Sequence, residues 1–309
     1  MSRGNRVVIN AAPQTAEAVP IVGWKNFPRT SDSLNHGVEL VQSETITPER
    51  VRSAGAPISA TATGDIEVEL IGGVYDEYIA AAACSEWVDD VLTLGGNVAK
   101  PYAIEKTFRD DDQHHIWTGM RVNTFKLDIP ERGLLTMTFG WMGSGYQNAL
   151  VPFSVAPAIT ELEPKATSLN VSDVKIDGAT LKGRSCVTAF SFEINNNITV
   201  QQCLFSGLYG GKVEEMMADM NGDFTLAYNR AAQEILDKQL TGATVAIEAL
   251  ITLVDGSTYL LKIPKAQIGG DLPAGGSDRL NASLTYTVVS DGTLASLPTL
   301  TRAATPTVP

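Results

Sequence analysis

The sequence predicts a mainly β protein with short helices, organised as two tandem antiparallel β-barrel or sandwich modules, each with one flanking α-helix. Three observations carry this. Residues 64–87 read as a strand that turns directly into a helix. A second copy of that stretch begins at Gly222, 158 residues later, about half of the 309-residue chain. Around both copies, runs of period-two alternation are separated by Gly, Asp, Asn and Pro turns, which is the signature of antiparallel pairing. One module written twice joins all three.

In the first copy, Ile66, Val68 and Leu70 alternate with Asp65, Glu67 and Glu69. This puts an apolar row on one face and a carboxylate row on the other. Gly72 and Gly73 break the strand. Val74, Tyr75, Tyr78, Ile79 and Ala82 follow helical spacing, with Asp76 and Glu77 near the positive N-terminal end. In the second copy, Phe224, Leu226 and Tyr228 share a strand face. Asn229 suits an N-cap, Ala232, Ile235, Leu236 and Leu240 form the helical stripe, and Gly242 suits the stop.

The remaining elements fall in order. Residues 1–37, punctuated by Pro13, Pro20 and Pro28, read as an extended arm anchored by Trp24 and Phe27. The first module spans 38–145. It holds a strand candidate over 38–51, a loop over 50–56, the strand 57–70 and its helix, and a Gly-containing loop over 88–101. Two strands, 102–109 and 115–129, follow across Asp110-Asp111-Asp112-Gln113, and a return strand, 134–142, follows the turn Pro130-Glu131-Arg132-Gly133. On the last pair, Phe125, Leu127 and Ile129 share a face, as do Leu135, Met137, Phe139 and Trp141; Thr136 and Thr138 lie opposite. Residues 146–185 form a linker within a Gly-, Ala- and Pro-rich stretch.

The second module spans 186–290. Runs 186–193 and 198–205 suggest a hairpin around Asn195-Asn196-Asn197. A second hairpin, 245–254 with 257–263, turns at Asp255-Gly256, a strong turn signal. Strand 280–289 alternates Leu284, Tyr286 and Val288 with Ser283, Thr285 and Thr287. Residues 291–309 are a tail, mobile or docked. Sheets of this size close only partly, so something must cover their edges or a neighbouring chain must pair with them.

The net charge of −12 and pI near 4.7 argue against gripping nucleic acid, which needs a basic footprint. They do not argue against a wall that nucleic acid slides past. The cysteines Cys84, Cys186 and Cys203 are an odd, widely spaced set and make no disulfide framework; reduced, mostly buried thiols are expected. Val7-Val8-Ile9 is too short for a signal peptide, and no run approaches the ~20 apolar residues of a membrane span.

Catalytic and ligand chemistry finds little purchase. Asp110-Asp111-Asp112-Gln113-His114-His115 tempts a metal reading, yet adjacent histidines on a strand point to opposite faces, and a solvated hairpin tip accounts for the run. Gly143-Ser144-Gly145 lacks the setting of a nucleophilic serine. No Gly-rich phosphate loop has standard spacing. No catalytic residue, cofactor or metal is therefore assigned. The row Asp65, Glu67, Glu69 admits three readings: a wet strand face, a glycosidase-like carboxylate pair, or the wall of a channel. Trp117 and Trp141 read as core or subunit contact.

The ordered set Gly64-Asp-Ile-Glu-Val-Glu-Leu, Tyr75-Asp76, Trp87, then Tyr102-Ala-Ile-Glu-Lys-Thr-Phe108, Trp117-Thr-Gly-Met-Arg-Val-Asn-Thr-Phe125 and Leu134-Leu-Thr-Met-Thr-Phe-Gly-Trp-Met-Gly143 resembles the major tail tube proteins of long-tailed (siphovirus-type) bacteriophages. Trp24 and Arg29-Thr30-Ser31-Asp32-Ser33-Leu34 fit the same pattern. The likeness is good over about residues 20–145, and 186–290 looks like a more divergent copy.

The resemblance implies a partly closed antiparallel β-barrel or sandwich whose subunits pair edge to edge in rings. Those rings stack into a hollow conduit for double-stranded DNA. Two modules per chain imply three chains per ring with pseudo-six-fold symmetry; a hexamer with the second copy outside is the alternative. The implied partners are further copies of the chain, the tape measure, terminator and baseplate proteins, and DNA in transit without specific binding. The implied location is the virion tail, after assembly in the host cytoplasm, with no membrane. Candidate lumen-lining residues are Asp65, Glu67, Glu69, Thr136, Thr138, Thr285 and Thr287. Candidate contacts between subunits are Trp24, Phe27, Arg50, Arg52 and Trp87, with loops 50–57 and 88–101 and both termini between rings. A terminator or baseplate ring protein, or a β-sandwich carbohydrate-binding or hydrolytic module built on Asp65, Glu67 and Glu69, are the other readings.

Overall fold

Alternation decides the strands. In the computed structural model, which describes residues 3–15, 19–20, 22–46, 48, 50–205, 207–275 and 279–303, the strands of five residues or more are labelled in chain order. They are β1 Val7–Pro13, β2 Asn35–Val41, β3 Ala56–Glu69, β4 Tyr102–Phe108, β5 Gln113–Ile129, β6 Thr136–Gly143 and β7 Gly145–Ala149. There follow β8 Val171–Ile176, β9 Val187–Asn195, β10 Asp219–Ala227, β11 Thr244–Thr252, β12 Thr258–Gly270, β13 Asn281–Val288 and β14 Thr299–Ala303. The helices are α1 Asp76–Ala82, α2 Arg230–Leu236 and α3 Lys238–Thr241. The fold is mainly β, with large antiparallel sheets and short helices.

The period-two rows resolve as expected. Ile66, Val68, Met137, Phe139, Phe125, Phe224 and Leu284 turn inward and are buried, while Asp65, Thr285 and Thr287 are exposed. One antiparallel sheet runs β2–β3–β6–β5–β9–β10–β13–β12. The long strands β5 and β12 each bend between two layers. The first half of β5 pairs with β4 and β7, its second half with β6 and β9. β12 pairs with β14 over its start and with β11 as far as Gln267, and its end pairs with β13.

The pairings recur in order. β1–β4, β2–β3, β3–β6, β4–β5, β5–β6 and β5–β7 have counterparts seven labels later in β8–β11, β9–β10, β10–β13, β11–β12, β12–β13 and β12–β14. Fine detail recurs too. Ser33 Oγ accepts from Asp65 N at 2.8 Å, and Ser191 Oγ accepts from Asp223 N at 3.1 Å. A Cβ on Gly64 would stand 2.7 Å from Ser33 O, and one on Gly222 would stand 2.2 Å from Ser191 O. Only glycine lets the strands approach this closely.

The helices cover the space between layers. Tyr78, Ile79 and Ala82 of α1 are buried, and the Tyr78 ring lies 4.4 Å from that of Phe27. Asn229 caps α2 by accepting from Ala232 N at 3.0 Å, and Gly242 ends α3 in the left-handed region at φ 64°. Buried residues of both halves form one continuous apolar cluster.

Several expectations change. Runs 186–193 and 198–205 form no hairpin with each other. β9 is already bordered by β10 and β5, which leaves no edge for a further strand. Asn196 fixes the exit, its Nδ2 donating to Ala82 O and Val122 O, both at 2.9 Å; Thr199–Gln201 pairs instead with Lys212–Glu214. The stretch 146–185 contributes strand β8 and most of β7. The Gly- and Asn-containing β7 carries little intrinsic strand preference and is set by pairing with β5, while β8 is a short Val- and Ile-bearing strand inside a Pro-rich stretch, set by pairing with β11. The strand expected over 38–51 is β2, ending at Val41, and the loop 88–101 begins with short strands Trp87–Val88 and Val91–Thr93. The N-terminal arm docks on its own chain as β1, and the tail docks as β14; 304–309 lie outside the described residues. Of the thiols only Cys84 is buried; Cys186 and Cys203 are exposed.

Candidate functional surface

The antiparallel registers stack the outward residues of the continuous sheet into rows. One row reads Glu67, Thr138, Lys126, Glu193, Asn221, Thr287, Gln267 across β3, β6, β5, β9, β10, β13 and β12. The next passes from Glu69 through Thr136, Asp128 and Ser191, which is buried, then through Asp223 to Thr285. Asp65 lies opposite Gly140 in the row beyond Glu67. The structure therefore brings Asp65, Glu67, Glu69, Thr136, Thr138, Thr285 and Thr287 onto one face, although they come from both halves of the chain.

That face is acidic and rich in hydroxyls. Its cations are spent locally: Lys126 pairs with Asp128 at 3.0 Å and Lys165 with Glu69 at 2.7 Å. The bond to Asp128 holds Lys126 above its ordinary pKa. Ser31 Oγ donates to Glu67 at 2.9 Å, and Ser191 Oγ to Asp223 at 2.8 Å. No histidine or thiol stands in either row; at one edge Ser283 and Thr285 line a shallow hollow with residues 270–273. Carboxylates and threonines so arranged repel anions and offer them no cationic fork.

The expected contact residues divide. Trp24 and Phe27 are 2% and 1% exposed and lie in the chain's own core, so neither presents a surface to a second copy. The Trp24 indole donates to Pro20 O at 3.0 Å. Trp87 is half-buried, donates to Asp76 O at 3.0 Å, and carries the Arg302 guanidinium 4.5 Å above its ring. Arg50 and Arg52 are exposed, on the connection between β2 and β3. That connection and the one between β9 and β10 both carry exposed apolar side chains: Ile46 and Val51 on the first, Leu204, Phe205 and Met217 on the second. Clustered exposed apolar groups mark interaction surfaces.

Sequence reasoning missed the network that ties the halves. Buried Asp76 of α1 accepts from Tyr259 of β12 and pairs with Arg302 of β14, and Tyr259 in turn accepts from Gly73 N at 2.8 Å. Burial, then the Asp76 charge, raise the phenol's pKa. The only sequence signal was an acid at a helix start, which reads as dipole complementarity. The two histidines of the Asp-rich hairpin part as strand geometry requires. His114 turns inward, 3.0 Å from Thr107 Oγ1 and 3.3 Å from buried Glu105, and His115 Nδ1 lies 2.6 Å from the Tyr146 hydroxyl.

A family model described as "Phage tail tube protein" matches residues 4–306. No curated protein matches the chain.

Proposed function

The chain belongs to the phage tail tube protein family, a structural component of the virion tail, and on that premise we propose that it polymerises into stacked rings whose lumen carries double-stranded DNA into the host. One observation supports this above others. The outward carboxylates and hydroxyls of both halves lie on a single face of one continuous sheet. Such a wall disfavours phosphate contacts, and a duplex slides along it.

The two halves act as tandem copies of one tube module. The recurrence of six pairings seven labels apart supports this, as do the matched contacts of Ser33 with Asp65 and Ser191 with Asp223. The modules meet through β5 and β9. By that recurrence the first comprises β1–β7 and the second β8–β14, wider than the expected 38–145 and 186–290, so the connection between them narrows from 146–185 to the stretch between β7 and β8. Three chains then make a ring with pseudo-six-fold symmetry. The continuous sheet contributes eight strands per chain. At about 4.8 Å per strand, three chains close a wall on the order of 37 Å across between backbones, wider if the strands tilt, which leaves a double helix room to pass. Asp65, Glu67, Glu69, Thr136, Thr138, Thr285 and Thr287 face that lumen. Arg50, Arg52 and the apolar connections beside them reach the neighbouring ring. Tape measure, terminator and baseplate proteins contact the stack, which assembles in the host cytoplasm, and the protein has no catalytic role.

Negative-stain microscopy of the purified chain at rising concentration tests this. Stacked rings with a central hole and three chains per ring are expected. A monomer that persists even when seeded with preassembled tail tips would overturn the reading.

A further inference from the structure

The junction between the halves is the pairing of β9 with the second half of β5, running from Phe190↔Ile129 to Asn195↔Thr124. β9 is the counterpart of β2. The correspondence holds residue by residue at an offset of 158, since Asn35 pairs with Thr63 and Glu193 with Asn221. The second half of β5 also has a counterpart. Phe139, opposite Ile66, pairs with Phe125; Leu284, opposite Phe224, pairs with Gly270. Gly270 thus stands where Phe125 stands, and Asp271 and Leu272 stand where Lys126 and Leu127 stand.

In the first half, β9 covers that β5 edge. In the second half, among the described residues, nothing does. Gly269 and Gly270 pair with β13 alone, and β2 pairs with β3 alone. We propose that a second copy of this chain supplies the missing strand: β2 of one copy adds antiparallel to residues 269–272 of the next. The register is Gly37↔Gly269, His36↔Gly270, Asn35↔Asp271 and Leu34↔Leu272. The proposal rests on the tube reading and names the edges that close its ring.

Exposure of the two edges supports the same occupant. Leu272 is 66% exposed, whereas its counterpart Leu127 is 8% exposed beneath β9. His36 is exposed, whereas its counterpart Ile194 is buried. An edge with no strand beside it and an uncovered leucine is a template for strand addition. The His36 N–H donates to the Asn35 side chain of its own chain at 2.8 Å, an exposed local bond that a ladder carbonyl can replace. Asn35 and Asp271 take the places of Glu193 and Lys126, so the polar row continues from one copy onto the next. The Asn35 carbonyl already accepts from the Trp117 indole at 3.0 Å, but a carbonyl has two lone pairs, so a ladder bond remains open to it. A head-to-tail contact of this kind joins unlike edges and closes into a ring when the rotation permits.

Cysteine pairs test it. Directly opposed residues of an antiparallel pair have Cα atoms about 4.5–5.5 Å apart, within disulfide range. Asn35→Cys and Asp271→Cys are combined in a Cys186→Ser/Cys203→Ser background, with Lys126→Cys/Glu193→Cys as the intrachain calibrant. After assembly and mild oxidation, the first pair should give covalent multimers up to the copy number of the ring, while each single variant stays monomeric. Rings or tubes visible by microscopy without cross-links, while the calibrant closes, would overturn this interface and leave the tube reading standing. Absence of rings from the seeded wild-type chain would overturn the tube reading itself. Hydrogen exchange on the wild-type chain avoids any assembly defect of the variants. Amides 35–37 and 269–272 should exchange at least about ten-fold more slowly in tubes than in free chains, and equal rates in the two states would overturn the proposal.

Discussion

The phenolic hydroxyl of Tyr259 donates to Asp76 Oδ1 over 2.8 Å, joining residues 183 positions apart in the chain. Both side chains are buried, and Arg302 pairs with the other carboxylate oxygen. Tyr259→Phe removes the donor to Asp76 and the acceptor for Gly73 N. It should lower the unfolding free energy by about 1–3 kcal/mol, read as a lower urea midpoint. Because the bond spans both halves, the transition should stay single; two separated transitions would show that the halves unfold independently.

The paired glycines should fail in the same way. A Cβ on Gly222 would meet Ser191 O at 2.2 Å and the Tyr286 hydroxyl at 2.5 Å, and one on Gly64 would meet Leu34 Cα at 2.5 Å. These contacts are largely backbone and cannot rotate away. Gly222→Ala and Gly64→Ala should each cost about 1–3 kcal/mol through overpacking, measured by thermal unfolding. A neutral result at either site would deny the close strand approach there.

Burial, then the charges of His36, Lys106 and His114, lower the pKa of His115 below its ordinary 6.5. Between the lowered value and 6.5 the unfolded chain binds more protons than the folded one. The contribution to stability is therefore complete above pH 6.5 and is lost as pH falls through the folded value. A proton NMR titration should place the His115 midpoint below 6.5, and His36→Gln should move it upward. A midpoint at or above 6.5 would contradict the arrangement.

The three thiols should separate by reactivity. Cys84 is buried, and burial followed by the Glu215 charge pushes its pKa up to about 11. A thiol reagent at pH 8 should modify Cys186 and Cys203 in the folded chain and reach Cys84 only after denaturation. Rapid labelling of Cys84 in the native protein would place it at the surface.

Charge reversal on the outer face should make assembled tubes retain DNA. Glu67→Lys with Thr287→Lys adds cations at two positions of one row. Variant tubes should co-sediment with duplex DNA at low salt and release it as salt rises, with a log–log slope of roughly −0.9 per phosphate contact. Wild-type tubes should not retain it. Equal behaviour of the two would place the face away from the duplex.

Much of the fold was legible because its strands alternate cleanly. Ile66 and Val68 against Glu67, Phe139 against Thr138, and Tyr286 against Thr285 each declare an inside and an outside. The Asp255-Gly256 turn and the Asn229 cap are local chemistry and stand where the sequence puts them. What was illegible had little or no periodicity to read. β8 alternates over only four residues, Asp173 to Ile176, β7 gains its strand character from a partner far along the chain, and the side chain of Asn196 decides where β9 ends by reaching two carbonyls that no local pattern reveals. Trp24 and Phe27 illustrate the same limit: an aromatic in a Pro-rich arm reads equally as an anchor to self or to a neighbour, and only burial separates the two.

The sequence by itself determined which residues alternate, where the turns and caps fall, and that the chain carries a net charge of −12. These are properties of neighbours along the chain, and period, composition and turn chemistry encode them directly. The tertiary structure alone decided that β9 joins β5, which fuses the outer faces of the two halves into one wall, and that Asp76, Tyr259 and Arg302 lock those halves together. The physical reason is that strand order and buried pairing depend on which edges and which unsatisfied groups meet in space, and residues separated by half the chain leave no mark of that meeting on their own local pattern.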